Sequence, residues 1–370
     1  MFPDHDVFDA PDFRDTVFTN SRNAILYHDD FLRHRTGTHP ENPQRLVVMK
    51  NALESHPVNK SLEWVEPQLC DESDVLRCHT SGHLEMLKRA AELACSAPDN
   101  LVWLDPDTPV SPDSFRAACR AVGACCQGVD MVLRQGFQSA WCLVRPPGHH
   151  ATAERAMGFC LFNNAACAAE YARAVHKIER VMIVDYDLHH GNGTQDIFYG
   201  DRGVLYTSIH QSYHYPGTGH IDEIGSGEGR GYTVNFPVLA GGGDGEFALY
   251  MRQVVASIAS QFKPQILIVS VGFDAHADDH LGALQLSSRQ FGRIVTLLRA
   301  VASDLNIGIV YALEGGYSLE AQAESIVESL IASTAEKFDP AELPMPYRPS
   351  QSAQAGFESL RRALHGIWDI

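Results

Sequence analysis

The stretch Val181–Gly193, "VMIVDYDLHHGNG", begins as a buried strand and ends in a run of ionisable side chains, Asp185, Asp187, His189 and His190. Carboxylates and imidazoles beside apolar packing are costly unless something pairs with them. Three solutions are open: a metal ion, a catalytic site or a structural hydrogen-bond network. Asp185, Asp187 and His189 are spaced by two. In extended chain such residues face the same way, so Asp187 and His189 are expected to grip one cation from one side.

Working outward, further apolar runs read as strands: 24–29, 139–146, 180–187, 204–210, 232–237, 265–274 and 307–316. They are rich in Val, Ile and Leu without polar alternation, the pattern of strands buried on both faces of a parallel sheet. Helical segments lie between several of them. Ser111-Pro112 is expected to cap and open a helix towards Gly136, with Phe115, Cys119, Val122, Cys126, Val129 and Leu133 on one apolar face. Residues 164–176, 246–261 and 288–304 read similarly, and Phe357, Leu360, Leu364 and Ile367 mark a final amphipathic helix after the Pro-rich stretch 337–351. Alternating strands and helices imply an α/β fold with a mostly parallel sheet. Residues 23–370 are expected to form a single domain after an irregular arm, 1–22. That arm reads either as a frayed terminus or, through Phe2, Phe8, Phe13 and Phe18, as packing on a neighbouring loop or subunit, and a homo-oligomer is anticipated.

In such sheets ligands bind beyond the carboxyl ends of the strands, and the unusual residues fall there. "RPPGHHA" carries His149 and His150, "IHQSYHYPGTG" follows "VLYTS" (204–208), "GFDAHADDHLG" carries Asp274, and "EGGYSL" carries Tyr317. Asp274 is a third candidate ligand beside Asp187 and His189. Two carboxylates and an imidazole suit a divalent ion such as Zn²⁺ with an open position. The turn Pro146-Pro147-Gly148 can project both His149 and His150 into a cavity. Their rings need orienting partners, for which Asp185 and Asn192 are available. Tyr317 follows Gly315-Gly316 and can donate to an oxyanion opposite the metal. The residues alone therefore point to a metal-dependent hydrolase.

Bulk properties narrow the class. The 370 residues carry a formal net charge of −17, which argues against nucleic acid as a partner and serves either plain solubility or the long-range steering of cationic substrates. No apolar run approaches the ~18 residues of a membrane span. The start, "MFPDHDVFDAPDF", lacks the basic and apolar regions of a signal peptide. A cytoplasmic protein without membrane contact is expected. The nine cysteines include no CxxC pair, so they read as small buried hydrophobes kept reduced, not as a zinc site.

"RPPGHHA", "DYDLHHGNGTQDIF", "SIHQ…YPGTG", "GFDAHADDHLG" and "LEGGYSL" together closely resemble the zinc-dependent histone deacetylase family, in particular its class II-like branch and bacterial amidohydrolases, in order from about Leu26 to Leu319. The resemblance implies an arginase/deacetylase fold, with long loops at the C-terminal strand edge, and hydrolysis of N-acyl amides. It makes Asp187, His189 and Asp274 the zinc ligands, His150 the general base and then acid, His149 with Asp185 its electrostatic partner, and Tyr317 the oxyanion donor. Asn192 stands where class I enzymes carry Asp. Gly158, Phe159 and Tyr215 are implied as channel walls, with Tyr215 where Phe is common, and Leu281 as the rim. Asp107, with Asp105 as competitor, is implied to hold the substrate backbone, and Arg45 to line an exit channel. Potassium is implied at Asp185, Asp187, His189, Ser208 and Ile209, and again at Phe198, Asp201, Val204 and Tyr232. The implied substrate is an acyl-lysine peptide or a small acylated amine. Leu281 at the rim and the short stretch 91–104 favour acetyl-lysine over acetylpolyamine. A dimanganese ureohydrolase and a non-catalytic reader of acylated amines are the alternatives.

Overall fold

The computed structural model describes residues 16–17, 22–338 and 349–370. The phenylalanines of the expected arm and most of the Pro-rich stretch lie outside them. Eight strands form one sheet: β1 (Asn23–Leu26), β2 (Leu62–Val65), β3 (Ser139–Cys142), β4 (Val181–Asp185), β5 (Val204–Gln211), β6 (Thr233–Val238), β7 (Ile266–Val271) and β8 (Ile309–Leu313). Their order is β2-β1-β3-β8-β7-β4-β5-β6, and every neighbouring pair is parallel. Every residue of β3, β4, β5, β7 and β8 is buried, which requires cover on both faces. Helix Ser114–Arg134 lies against β3 and β8, and Asn164–His176 against β4 and β7. Ser288–Leu305 and Leu319–Thr334 pack on one another, and the latter on Gln44–Ser55. Among the described residues no helix is long and apolar enough to cross a membrane.

Three local expectations are corrected. The strand that leads to the central cluster is shorter than read: β4 ends at Asp185, and Asp187 and His189 sit in a bend beyond it. The helix expected from Ser111-Pro112 begins at Ser114, because the Ser111 amide is taken by Ser114 Oγ at 2.7 Å and the Ser111 hydroxyl ties the loop to Arg35. The run 246–261 is a longer helix, Asp244–Phe262, with one π-helical turn at Tyr250–Val255. The edge strand β2 and the helices Gln44–Ser55, Ser81–Ala94 and Leu319–Thr334 had no expectation at all. In "LEWV" only Leu62 is buried, so an edge position leaves little apolar signal.

Candidate metal centre and active site

The four central strands β3, β8, β7 and β4 deliver their C-terminal loops to one place. Beyond β4, the bend lets Asp187 Oδ1 accept the His189 amide at 2.8 Å, a local closure that turns both side chains inward. Beyond β7, Asp274 Oδ1 accepts the Leu188 amide at 2.9 Å, which locks the two loops together. Beyond β8, the Gly315 amide donates to Asp187 Oδ2 at 2.8 Å. As a result, ligand atoms of Asp187, His189 and Asp274 lie within 4.8 Å of one another, and all three residues are buried. His189 Nδ1 is 3.1 Å from Asp187 Oδ1 and 3.1 Å from Asp274 Oδ2.

Glycines make this approach physically possible. A Cβ at Gly272 would stand 2.1 Å from Asp187 Oδ2, one at Gly315 2.2 Å from Asp274 Oδ2, and one at Gly191 2.2 Å from Asp185 Oδ2. The backbone is packed directly onto the carboxylates, and no side chain other than hydrogen fits.

The electrostatics call for a cation. Burial and the neighbouring Asp187 push Asp274 up to about 7. His189 is raised to about 9 against its burial by Asp187 and Asp274. Two buried carboxylates within reach of one imidazole nitrogen are thus in conflict unless a positive charge joins them. An imidazole and two carboxylates are a donor set that zinc accepts.

Beside this group stand the histidines of the loop after β3. His149 Nδ1 meets Asp185 Oδ2 at 3.1 Å, and the same oxygen accepts the Tyr206 hydroxyl at 3.1 Å. Burial opposes a charge on His149, but Asp185, Asp187 and Glu314 raise it to about 10. His150 Nδ1 meets Asn192 Oδ1 at 2.8 Å, and burial followed by the charges of His149 and His189 holds it well below the usual histidine range. The rings of His149 and His150 are 4.1 Å apart between centroids.

A wall of aromatic residues surrounds them. Tyr215 lies edge-on to His150 at 5.1 Å, and Phe159 edge-on to Tyr317 at 5.8 Å. Gly158 has φ +55°, where a Cβ would stand 2.6 Å from the His150 ring. Asp107 sits half-buried with its amide on Asp105 Oδ1 at 3.1 Å, next to Thr108, whose hydroxyl holds the Phe159 amide at 3.2 Å. The Leu281 carbonyl accepts from His214 at 2.9 Å.

Arg45 is fully buried beneath Tyr317, its guanidinium carbon 4.9 Å from the ring centroid. It donates to the carbonyls of Gly316 at 2.5 Å and Glu314 at 2.6 Å. Of the cation sets, Ser208 is the register partner of Asp185 across β4 and β5, and Ile209 follows it. In the second set, the Phe198 carbonyl accepts from Asp201 and the Tyr232 carbonyl from Tyr206, while the Asp201 carboxylate is paired with Arg173 at 2.5 Å.

Sequence reasoning missed several supports. Glu314 accepts the amides of Gly148 and His149 at 2.6 and 3.1 Å, which sets the histidine loop. Asp279 accepts the amides of Tyr317 and Ser318 at 2.6 and 2.9 Å. Glu41 is clasped by Arg145 and Arg45 behind the site. Glu314 and Asp279 lie inside the quoted motifs, so an inventory of every carboxylate there would have found them. Glu41 carried no local signal.

Comparison with known proteins identifies the family. A histone deacetylase domain matches residues 39–333. A probable deacetylase of Methanothermobacter thermautotrophicus is 37% identical over 319 residues, covering 86% of this chain and 92% of the relative. The histone deacetylase-like amidohydrolase of Pseudomonas aeruginosa is 36% identical over 282 residues, covering 76% of this chain and 73% of the relative. The crystal structure of the HDA15 HD domain superposes with a TM-score of 0.85 at 33% identity, covering 94% of this chain and 95% of that one. The fold is the arginase/deacetylase fold, and the chain belongs to the histone deacetylase family of hydrolases.

Proposed function

We propose that the protein is a zinc-dependent amidohydrolase that removes the acyl group from acetyl-lysine or a related small acylated amine, in the cytoplasm. The observation that carries this reading is the convergence of Asp187, His189 and Asp274 beside the paired histidines. When bound by those three residues, zinc supplies Lewis-acid polarisation of the acyl carbonyl and makes water acidic enough to react near neutral pH.

The chain's own groups do the rest. His150, oriented by Asn192, takes the proton of the attacking water and returns it to the leaving amine nitrogen as the C–N bond breaks. His149, held by Asp185, supplies positive charge beside the developing negative charge. The Tyr317 hydroxyl donates to the oxyanion, held there by Asp279 on its amide and Arg45 beneath its ring. Phe159, Gly158 and Tyr215 would flank the aliphatic stem, and Leu281 at its own place on the rim offers no acidic group to a second ammonium. Asp107 would take up the substrate backbone, and Arg45 would border the exit path of the acid product. Potassium at Asp185, Asp187, His189, Ser208 and Ile209 would tune the field. At the second set Asp201 would contribute only its carbonyl, since its carboxylate is engaged by Arg173.

The test is a turnover panel on zinc-loaded protein with acetyl-lysine peptides, longer acyl-lysines and acetylated polyamines, alongside elemental analysis. One zinc per chain, lost in His189→Ala, and turnover of acyl-lysine above acetylpolyamine are expected. A zinc-loaded protein that hydrolyses none of these amides overturns the proposal, and two manganese ions per chain would replace it with ureohydrolase chemistry.

A further inference from the structure

Cys78, His79 and Cys167 form a second buried cluster, with candidate ligand atoms within 4.8 Å of one another. Cys78 and His79 lie on the turn before helix Ser81–Ala94, and Cys167 lies in the first turn of helix Asn164–His176. The two sulfurs are 3.2 Å apart. Cys167 is fully buried, whereas Cys78 as a residue is half-buried.

The histidine decides between metal binding and thiol chemistry. His79 Nε2 accepts the backbone amide of Asn163 at 2.8 Å. An amide can only donate, so the neutral ring must carry its proton on Nδ1. A cation at Nδ1 would need a ring stripped of both protons, and two thiols alone do not make a closed soft-metal site. The same proton count makes Nδ1–H a donor. That atom is buried with no hydrogen-bond partner, in a residue only 4% exposed. A donor spare beside a thiol favours its thiolate.

We propose that Cys78 and Cys167 are an oxidation site for hydroperoxides, with Cys78 as nucleophile and Cys167 as resolving thiol. The Cys78 thiolate attacks one peroxide oxygen. The O–O bond breaks, the departing oxygen takes up a proton and leaves as water or an alcohol, and Cys78 becomes a sulfenic acid. The Cys167 sulfur then attacks Cys78 sulfur, the S–O bond breaks, and the hydroxide leaves as water with the Cys167 proton. Two thiols are oxidised to one disulfide and one peroxide is reduced. The asymmetry of the pair agrees. Cys78 is drawn down to about 6, against burial, chiefly by its hydrogen bond with Cys167, while burial and Cys78 hold Cys167 well above the usual thiol range.

The experiment treats the reduced full chain with hydrogen peroxide, alkylates the remaining thiols and maps unreduced peptides by mass spectrometry. The expected product links the Cys78 and Cys167 peptides with loss of two hydrogens, is released by dithiothreitol, and forms at least about tenfold faster than oxidation of the exposed Cys95. Cys167→Ala is expected to leave a sulfenic acid on Cys78 that dimedone captures. Cys78→Ala, checked for folding by circular dichroism, is expected to leave Cys167 unoxidised. Oxidation of Cys95 at least as fast as Cys78, linkage of Cys167 to another cysteine, or zinc beyond one equivalent shielding both thiols from alkylation would each overturn the proposal.

Discussion

At the scale of single residues, the site is held by short polar contacts with no slack. If His150 moves the proton and Tyr317 steadies the oxyanion, His150→Ala and Tyr317→Phe should each lower kcat by about two orders of magnitude or more while zinc content stays at the wild-type level. Rates near wild type in either variant would remove that residue from its role. Gly158 gives a sharper test, because its Cβ would meet the His150 ring at 2.6 Å from a left-handed backbone. Gly158→Ala should cut turnover by about tenfold or more through displacement of His150, with zinc retained. Full activity would mean that His150 has room to shift without consequence.

At the scale of elements, helix Asn164–His176 connects several parts of the molecule. Its capping residue Asn163 accepts the Ala166 amide at 2.9 Å and donates to the Ala151 carbonyl at 3.1 Å and the Thr194 hydroxyl at 3.0 Å. Asn163→Ala removes the cap and strands buried partners, so a loss of about 2 kcal/mol in urea unfolding is expected. A change under about 0.5 kcal/mol would mean that water replaces the side chain. This helix was legible from its apolar spacing, and its observed bounds are those read from the sequence. The strands of the sheet centre were legible because both faces are apolar. The chain from Asp185 to His189 was legible as a cluster but misread as extended: the amide of His189 closes on Asp187 instead, a local bond that no residue spacing announces. The edge strand β2 escaped because one row of unpaired backbone and a single buried side chain leave no pattern.

At the scale of the whole molecule, buried histidines set the acid limit. His34 is held down to about 3 by burial and then Arg145, and His83 to about 4 by burial. An unfolded histidine takes up its proton near pH ~6.5. Below that value the unfolded chain binds more protons than the folded one, so stability falls as pH drops towards the folded values. Glu41 acts in the same direction lower down. Despite burial, Arg145 holds it at about 2, so its contribution is present above ~4.5 and is lost as pH falls towards about 2. Tm measured by calorimetry should therefore decline from pH 7 to pH 5 and more steeply below ~4.5, and His34→Asn should flatten the upper part. A Tm constant from pH 7 to pH 5 would contradict this account.

The glycines pressed against Asp185, Asp187 and Asp274 carry a consequence for how this protein can diversify. Since Gly191, Gly272 and Gly315 admit no other side chain, random libraries should leave those positions monomorphic whatever activity is selected. New specificities will have to arise at positions whose side chains already meet solvent, such as Tyr215 beside His150.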